Sequence, residues 1–184
     1  MIEQSLNFLV VEDLVSDTFL FQRMLKKVSQ NPEVRFSDSI LSLQNALKTF
    51  IPDFIISDYN LTGFTAEDVI EIVKSIDREI PIIIISGKLG SEEKVARLLM
   101  QGAVAFFSKE NFQDLPEKLI PLCQRILTEK KDTFEKLERN RKREASLKEM
   151  ASFLRQYDLK ESSKELSLLQ ELKKNFSGLL NIDE

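Results

Sequence analysis

From residue 6 to about 127, short apolar runs alternate with longer stretches in which apolar residues recur at helical spacing. The runs are LNFLVV (6–11), VRFS (34–37), DFIIS (53–57), PIIIIS (81–86) and VAFF (104–107). Amphipathic stretches occupy about 15–29, 39–50, 65–76, 91–101 and 112–127. In the first of these, Phe19, Leu20, Met24, Leu25 and Val28 recur at helical spacing. Pro32, Pro52 and Pro81 stand just before strands, and Gly63, Gly87 and Gly102 fall in turns. The first, third and fourth runs are apolar almost throughout, as parallel strands covered by helices on both faces must be. Five such units predict an α/β fold, a doubly wound parallel sheet.

After residue 127 the pattern changes. No glycine occurs between Ala103 and Ser177, and no proline from Leu122 onward. An apolar stripe runs Ile120, Cys123, Leu127, Phe134 and Leu137, with Lys130 interrupting. It fades through EKLERNRKRE and returns at Leu147, Met150, Ala151, Leu154 and Tyr157. Ser162 and Glu165 have the spacing of a capping box, and Leu166, Leu169, Leu172 and Phe176 follow, with Gly178 as C-cap. The expected organisation is a domain over 1–127 and a helical extension over 128–184. The extension is read as a long helix continuing to about 157, a break near 158–162, and a short helix over about 163–177.

Composition narrows the chemistry. The 184 residues are 42% apolar and 30% charged with net charge −4, enough for a real core and no general attraction for nucleic acid or anionic membrane. RNRKR (139–143) is flanked by Glu135, Glu138, Glu144 and Glu149. Residues 128–184 carry 13 basic and 12 acidic groups, so a solvated helix face is expected there instead of a DNA contact. The single cysteine, Cys123, cannot form an intrachain disulfide and is expected in the core. No apolar run reaches the roughly 18 residues of a membrane span, and MIEQS is no signal sequence, so a cytoplasmic protein without membrane insertion is expected. Histidine is absent. His-ligated metals, His-based triads and phosphohistidine are therefore excluded from this chain.

In an open parallel sheet, ligands bind outside the carboxyl ends of the strands. Glu12 and Asp13 follow the first strand, Asp58 the third, Ser86 the fourth and Lys109 the fifth, so these side chains are expected to meet. Crowded carboxylates raise one another's pKa unless a cation intervenes. Oxygen donors without histidine or thiolate favour a hard ion, and Mg²⁺ suits a few carboxylates plus water. Lys109 then balances charge, and the Ser86 hydroxyl can bond a phosphoryl oxygen. The chemistry that fits is phosphoryl transfer to a carboxylate, with Asp58 as nucleophile. Singly, each residue has a plainer reading: Glu12 and Asp13 as helix caps, Asp58 and Ser86 as turn formers, Lys109 as a solvated strand end, Phe106 as core. Their conjunction on five alternating units carries the inference.

Over residues 6 to about 127 the motifs VVEDL, IISDYNLTG, IIIISG and QGAVAFFSKE resemble the receiver domain of two-component response regulators. The resemblance implies a flavodoxin-like sheet of order 2-1-3-4-5 and makes Asp58 the phosphoacceptor. Asp13, Asp58 and the Asn60 backbone carbonyl would hold Mg²⁺, with Glu12 supporting through water. Ser86 would be the switch hydroxyl, Phe106 the switch aromatic and Lys109 the phosphate-binding cation. It implies signalling through the helix 4, strand 5 and helix 5 face into the extension, and a chain that catalyses only its own phosphorylation and dephosphorylation. The implied donor is a histidine kinase or phosphotransfer protein. The apolar stripe of the extension is read separately as a packing seam that would pair two protomers through helix 5, fold back on the receiver, or dock a helix of an unidentified downstream protein. Thr62 stands where many receivers have proline, Glu110 replaces a proline often preceded by a cis peptide, and Lys88 occupies a position that tunes dephosphorylation. Rival readings are a phosphorylation-independent dimerisation scaffold and a haloacid-dehalogenase-type phosphatase. Asn60 stands where such phosphatases carry a second aspartate. No G-x-x-x-x-G-K-[ST] or G-x-G-x-x-G motif is present.

Overall fold

The computed structural model describes residues 1–76, 79–87 and 91–157. Lys88, the expected break at 158–162 and the short helix over 163–177 lie outside the described residues. Five parallel strands, β1 (Asn7–Val11), β2 (Glu33–Ser37), β3 (Phe54–Ser57), β6 (Ile82–Ser86) and β7 (Ala103–Ser108), form one sheet in the order β2-β1-β3-β6-β7. Two-residue strands β4 (Asn60–Leu61) and β5 (Phe64–Thr65) pair antiparallel just after β3. With that hairpin set aside, the order is the 2-1-3-4-5 implied by the sequence.

Alternation along the strands builds two cores. Phe8 and Val10 of β1, Phe54 and Ile56 of β3, and Ile83 and Ile85 of β6 share one cluster with Phe21 and Leu25 of α1 (Val15–Val28) and Leu119, Cys123 and Ile126 of α5 (Leu115–Glu129). Leu9, Val11, Ile55, Ile82 and Ile84 point the other way. They meet Leu43 and Leu47 of α2 (Ile40–Thr49), Val69 and Val73 of α3 (Ala66–Ser75) and Leu98 of α4 (Glu92–Gln101). Residues such as Leu9, Ile55 and Ile84 are wholly inaccessible, which is why β1, β3 and β6 lack a polar face. Gly102 ends α4 at φ 118°, a left-handed conformation that favours glycine and strains any other residue there.

The helix expected to run unbroken out of the domain is interrupted. Glu129 ends α5, Lys130 has φ −110° and ψ 30°, and α6 (Lys131–Tyr157) begins immediately afterwards. The break needs neither glycine nor proline. It turns Phe134 into the first core cluster, its ring centroid 5.8 Å from that of Phe54. The chain divides into compact units Met1–Leu137 and Glu138–Glu184. In the second, the described residues are all helix, with an i,i+4 pair between Lys142 and Glu138 at 3.0 Å. Leu147 and Ala151 are half-buried and Met150 is exposed. No helix among the described residues is long and apolar enough to cross a membrane.

Candidate functional site

Each site residue follows directly from a strand end. β1 stops at Val11, and the next residue, Glu12, is 1% exposed; its backbone N–H donates to Ser37 O at 2.9 Å. β3 stops at Ser57, and Asp58 follows at 7% exposure, its N–H donating to Val11 O at 3.0 Å. β7 ends at Ser108, in register with Ser86 of β6, and Lys109 opens a 3-10 segment (Lys109–Asp114). The parallel register thus delivers Glu12, Asp58, Ser86 and Lys109 to one edge of the sheet.

Lys109 joins them. Its Nζ donates to Glu12 Oε2 at 2.7 Å, to Asp58 Oδ2 at 2.8 Å and to Asp17 Oδ2 at 2.8 Å, with the Phe21 ring centroid 5.4 Å away. All three ammonium protons have a carboxylate partner. Burial disfavours the Lys109 charge, but the bonds to Asp17, Asp58 and Glu12 outweigh it, and its pKa lies above the ordinary value. Burial acts the opposite way on Glu12. Desolvation raises its pKa although Lys109 and the Leu14 N–H (3.1 Å to Oε1) both favour the anion. Asp58 Oδ1 accepts the Tyr59 N–H at 2.6 Å.

Asp13 is bonded to the loop that follows β3. Its Oδ2 accepts the Thr62 N–H at 3.1 Å and the Thr62 hydroxyl, and the hydroxyl bond is the main cause of its lowered pKa. Ser86 is 1% exposed, and its Oγ has no hydrogen-bond partner among the described residues. Asn60 lies in β4, two residues beyond Asp58. Phe106 is half-buried against the second core cluster. No cis peptide bond occurs among the described residues, so Lys109–Glu110 is trans. Beside the site, the Tyr59 hydroxyl donates to Glu67 Oε1 at 3.2 Å, and Lys94 Nζ sits 5.5 Å from the Tyr59 ring centroid. Burial, then the Glu67 charge, raises the Tyr59 pKa.

Sequence reasoning missed Asp17. An acid in the first turn of a helix is explained by the helix dipole alone. The available signal was its position four residues after Asp13, one turn into the helix that starts above the same sheet edge.

Among the described residues, no three Asp, Glu, His or Cys side chains stand grouped to hold a metal. The carboxylates that converge are bridged by the Lys109 ammonium, and Asp13 is turned to Thr62. The donor chemistry nevertheless fits a hard cation, since Glu12, Asp13 and Asp58 are oxygen-only and adjacent on one edge. The buried, unpaired Ser86 hydroxyl leaves a place for one further oxygen acceptor.

A family model described as the response regulator receiver domain matches residues 8–120. No curated protein sequence is significantly similar. The chain is similar in fold to the signal receiver domain of a Luxo repressor protein from Vibrio parahaemolyticus, with TM-score 0.60 and 23% identity over 68% of this chain and 95% of that one. It is likewise similar to the phosphorylated cyanobacterial phytochrome response regulator RcpA, with TM-score 0.55 and 21% identity over 65% of this chain and 91% of that one. The response regulator domain of Thermotoga maritima CheB matches with TM-score 0.58 and 16% identity, over 68% of this chain and 98% of the other.

Proposed function

Because the chain belongs to the response regulator receiver domain family, with 8–120 as the matching segment, we propose that it is a two-component response regulator phosphorylated on Asp58. The observation that carries this reading is the meeting of Asp58, Glu12 and Lys109 at one sheet edge beside a buried Ser86 hydroxyl without a partner. The phosphorylated state of the similar RcpA agrees with it.

In this reading the Asp58 carboxylate attacks the phosphorus of a phosphohistidine on a kinase or phosphotransfer protein, or of a small phosphodonor. An O–P bond forms, the donor's P–N or P–O bond breaks, and the leaving group departs with its electron pair. Glu12, Asp13, Asp58 and the Asn60 carbonyl are the groups that would hold Mg²⁺, which when bound neutralises phosphoryl charge. Lys109 already contacts Asp58 Oδ2, so its ammonium can follow the charge onto the phosphoryl oxygens. The Ser86 Oγ donates to another of those oxygens, and Phe106, half-buried at the β7 edge, turns inward behind it. The altered α4–β7–α5 face carries the signal into the extension. There, a second protomer or a downstream protein packs against the helix, in the cytoplasm. Hydrolysis of the acyl phosphate by this same site returns the chain to rest, and no other substrate is turned over.

The test is phosphorylation with a small phosphodonor and Mg²⁺, with beryllofluoride as a stable mimic. Asp58→Asn should abolish both the acid-stable, base-labile label and the beryllofluoride response; equal responses in variant and parent overturn the reading.

A further inference from the structure

Asp17 and Phe21 stand one turn apart on α1, and both address the Lys109 ammonium. Asp17 Oδ2 accepts from Nζ at 2.8 Å, and the Phe21 ring centroid lies 5.4 Å from it. We infer that Asp17 is a positioning residue for the reaction at Asp58, one that with Glu12 holds the ammonium so that its third donor stays aimed at the reacting carboxylate. The inference rests on the reading of Asp58 as phosphoacceptor.

Three features carry it. An ammonium has three donors, and Lys109 gives two of them to Glu12 and Asp17 and the third to Asp58 Oδ2. Neither Glu12 nor Asp17 is the reacting acid, so both bonds persist when charge moves from Asp58 onto a phosphoryl group. Second, a lysine head on its four-carbon stem is a mobile point charge, and its place is set by what it touches. Glu12 holds it from the end of β1 and Asp17 from the first turn of α1; without Asp17 the head pivots about one fixed partner. Third, the Asp17 anchor is itself fixed. Its backbone N–H donates to Leu14 O at 3.0 Å, its Oδ1 accepts the Ser16 hydroxyl at 3.2 Å, and wholly buried Phe21 seats the helix in the core. The Asp17 side chain is 21% exposed and that of Glu12 not at all, so a change at 17 removes a tether without stranding a buried anion.

Two measurements on the full chain check this, for the parent, Asp17→Ala, Asp17→Asn and Asp58→Asn. The first needs neither metal nor phosphodonor. The ¹⁵N resonance of Lys109 Nζ, assigned by its loss in Lys109→Met, should be visible in the parent and in Asp17→Asn and lost to solvent exchange in Asp17→Ala. The second is the rate of Asp58 labelling by radiolabelled acetyl phosphate over a range of concentrations at saturating Mg²⁺. Loss of one charge-assisted hydrogen bond to the ammonium predicts a maximal rate about five- to twentyfold lower in Asp17→Ala. The half-saturating donor concentration should stay within about twofold of the parent's. Asp17→Asn keeps an oxygen that accepts from the ammonium, and its rate should stay within about threefold of the parent's. A rate in Asp17→Ala equal to or above the parent's, or an unchanged Nζ resonance there, overturns the inference. Equal losses in Asp17→Ala and Asp17→Asn overturn it too, since the charge and not the placement then matters. Labelling that persists in Asp58→Asn, or none in the parent, removes the phosphoacceptor reading and the inference with it.

Discussion

Lys109 directs all three of its donors at carboxylates, and one of them, Glu12, has a side chain with no exposure at all. Removing the ammonium with Lys109→Met leaves that buried anion uncompensated, and about 3 kcal/mol of stability should be lost at pH 7. Urea denaturation checks this, and it also checks the pH dependence. Burial already holds the Glu12 pKa above 4.5 in the parent. In the variant, Glu12 takes up its proton in the folded chain before the unfolded chain does, so the deficit should narrow as the pH falls toward 4.5. Alkaline behaviour has the opposite sign. The Lys109 pKa is raised, so its contribution is fully present below 10.5 and is lost at higher pH. The Cys123 thiol is pushed by burial from 9.0 up to about 12, so stability falls with rising pH across that window as the unfolded thiol ionises. The urea midpoint should therefore decline above pH 9, with a shallower slope in Cys123→Ala. Glu12, Asp58 and Lys109 were legible in the sequence because each ends an apolar run. The Asp13 partner was not, since a hydrogen bond to a loop 49 residues away leaves no local pattern.

Helix entry and exit make the next scale. At the start of α3, Asp68 Oδ2 accepts the Thr65 N–H at 2.7 Å and the Thr65 hydroxyl at 3.0 Å. Asp68→Ala should cost about 1 kcal/mol, read as a lowered urea midpoint. The loss is one of stability, with label uptake on Asp58 retained. At the other end of the domain Phe134 is 7% exposed and packs against Phe54, the rings tilted 34° to each other. Phe134→Ala should cost about 3 kcal/mol by the same measurement, and a chain ending at 127 should lose at least as much. The five strands and their helices were legible because double-sided burial demands unbroken apolar runs, as in Ile82–Ile85. The β4–β5 hairpin was not, because two residues cannot display an alternation. Nor was the interruption at Lys130, which comes from backbone dihedrals at an ordinary helix-forming residue, with Phe134 gaining core contact as the compensation.

For the whole molecule the division at Leu137 decides which fragment is informative. A chain ending at 137 retains Phe134 and should fold like the parent, whereas one ending at 127 confounds loss of the extension with loss of core. Light scattering with and without beryllofluoride and Mg²⁺ on the full chain and on residues 1–137 therefore separates the roles. If the extension pairs protomers, the full chain should change apparent mass on addition and the 137-residue chain should not. The sequence made the existence of the extension visible through its loss of glycine and proline. It did not reveal which residue of the stripe takes hold, because the apolar pattern alone does not set Phe134 apart from the others on it.

Phe54 begins β3, and Asp58 immediately follows its last residue. The aromatic seat of Phe134 and Asp58 therefore lie at opposite ends of one short strand. Displacing Phe134 uncovers the first residue of the strand whose far end presents Asp58.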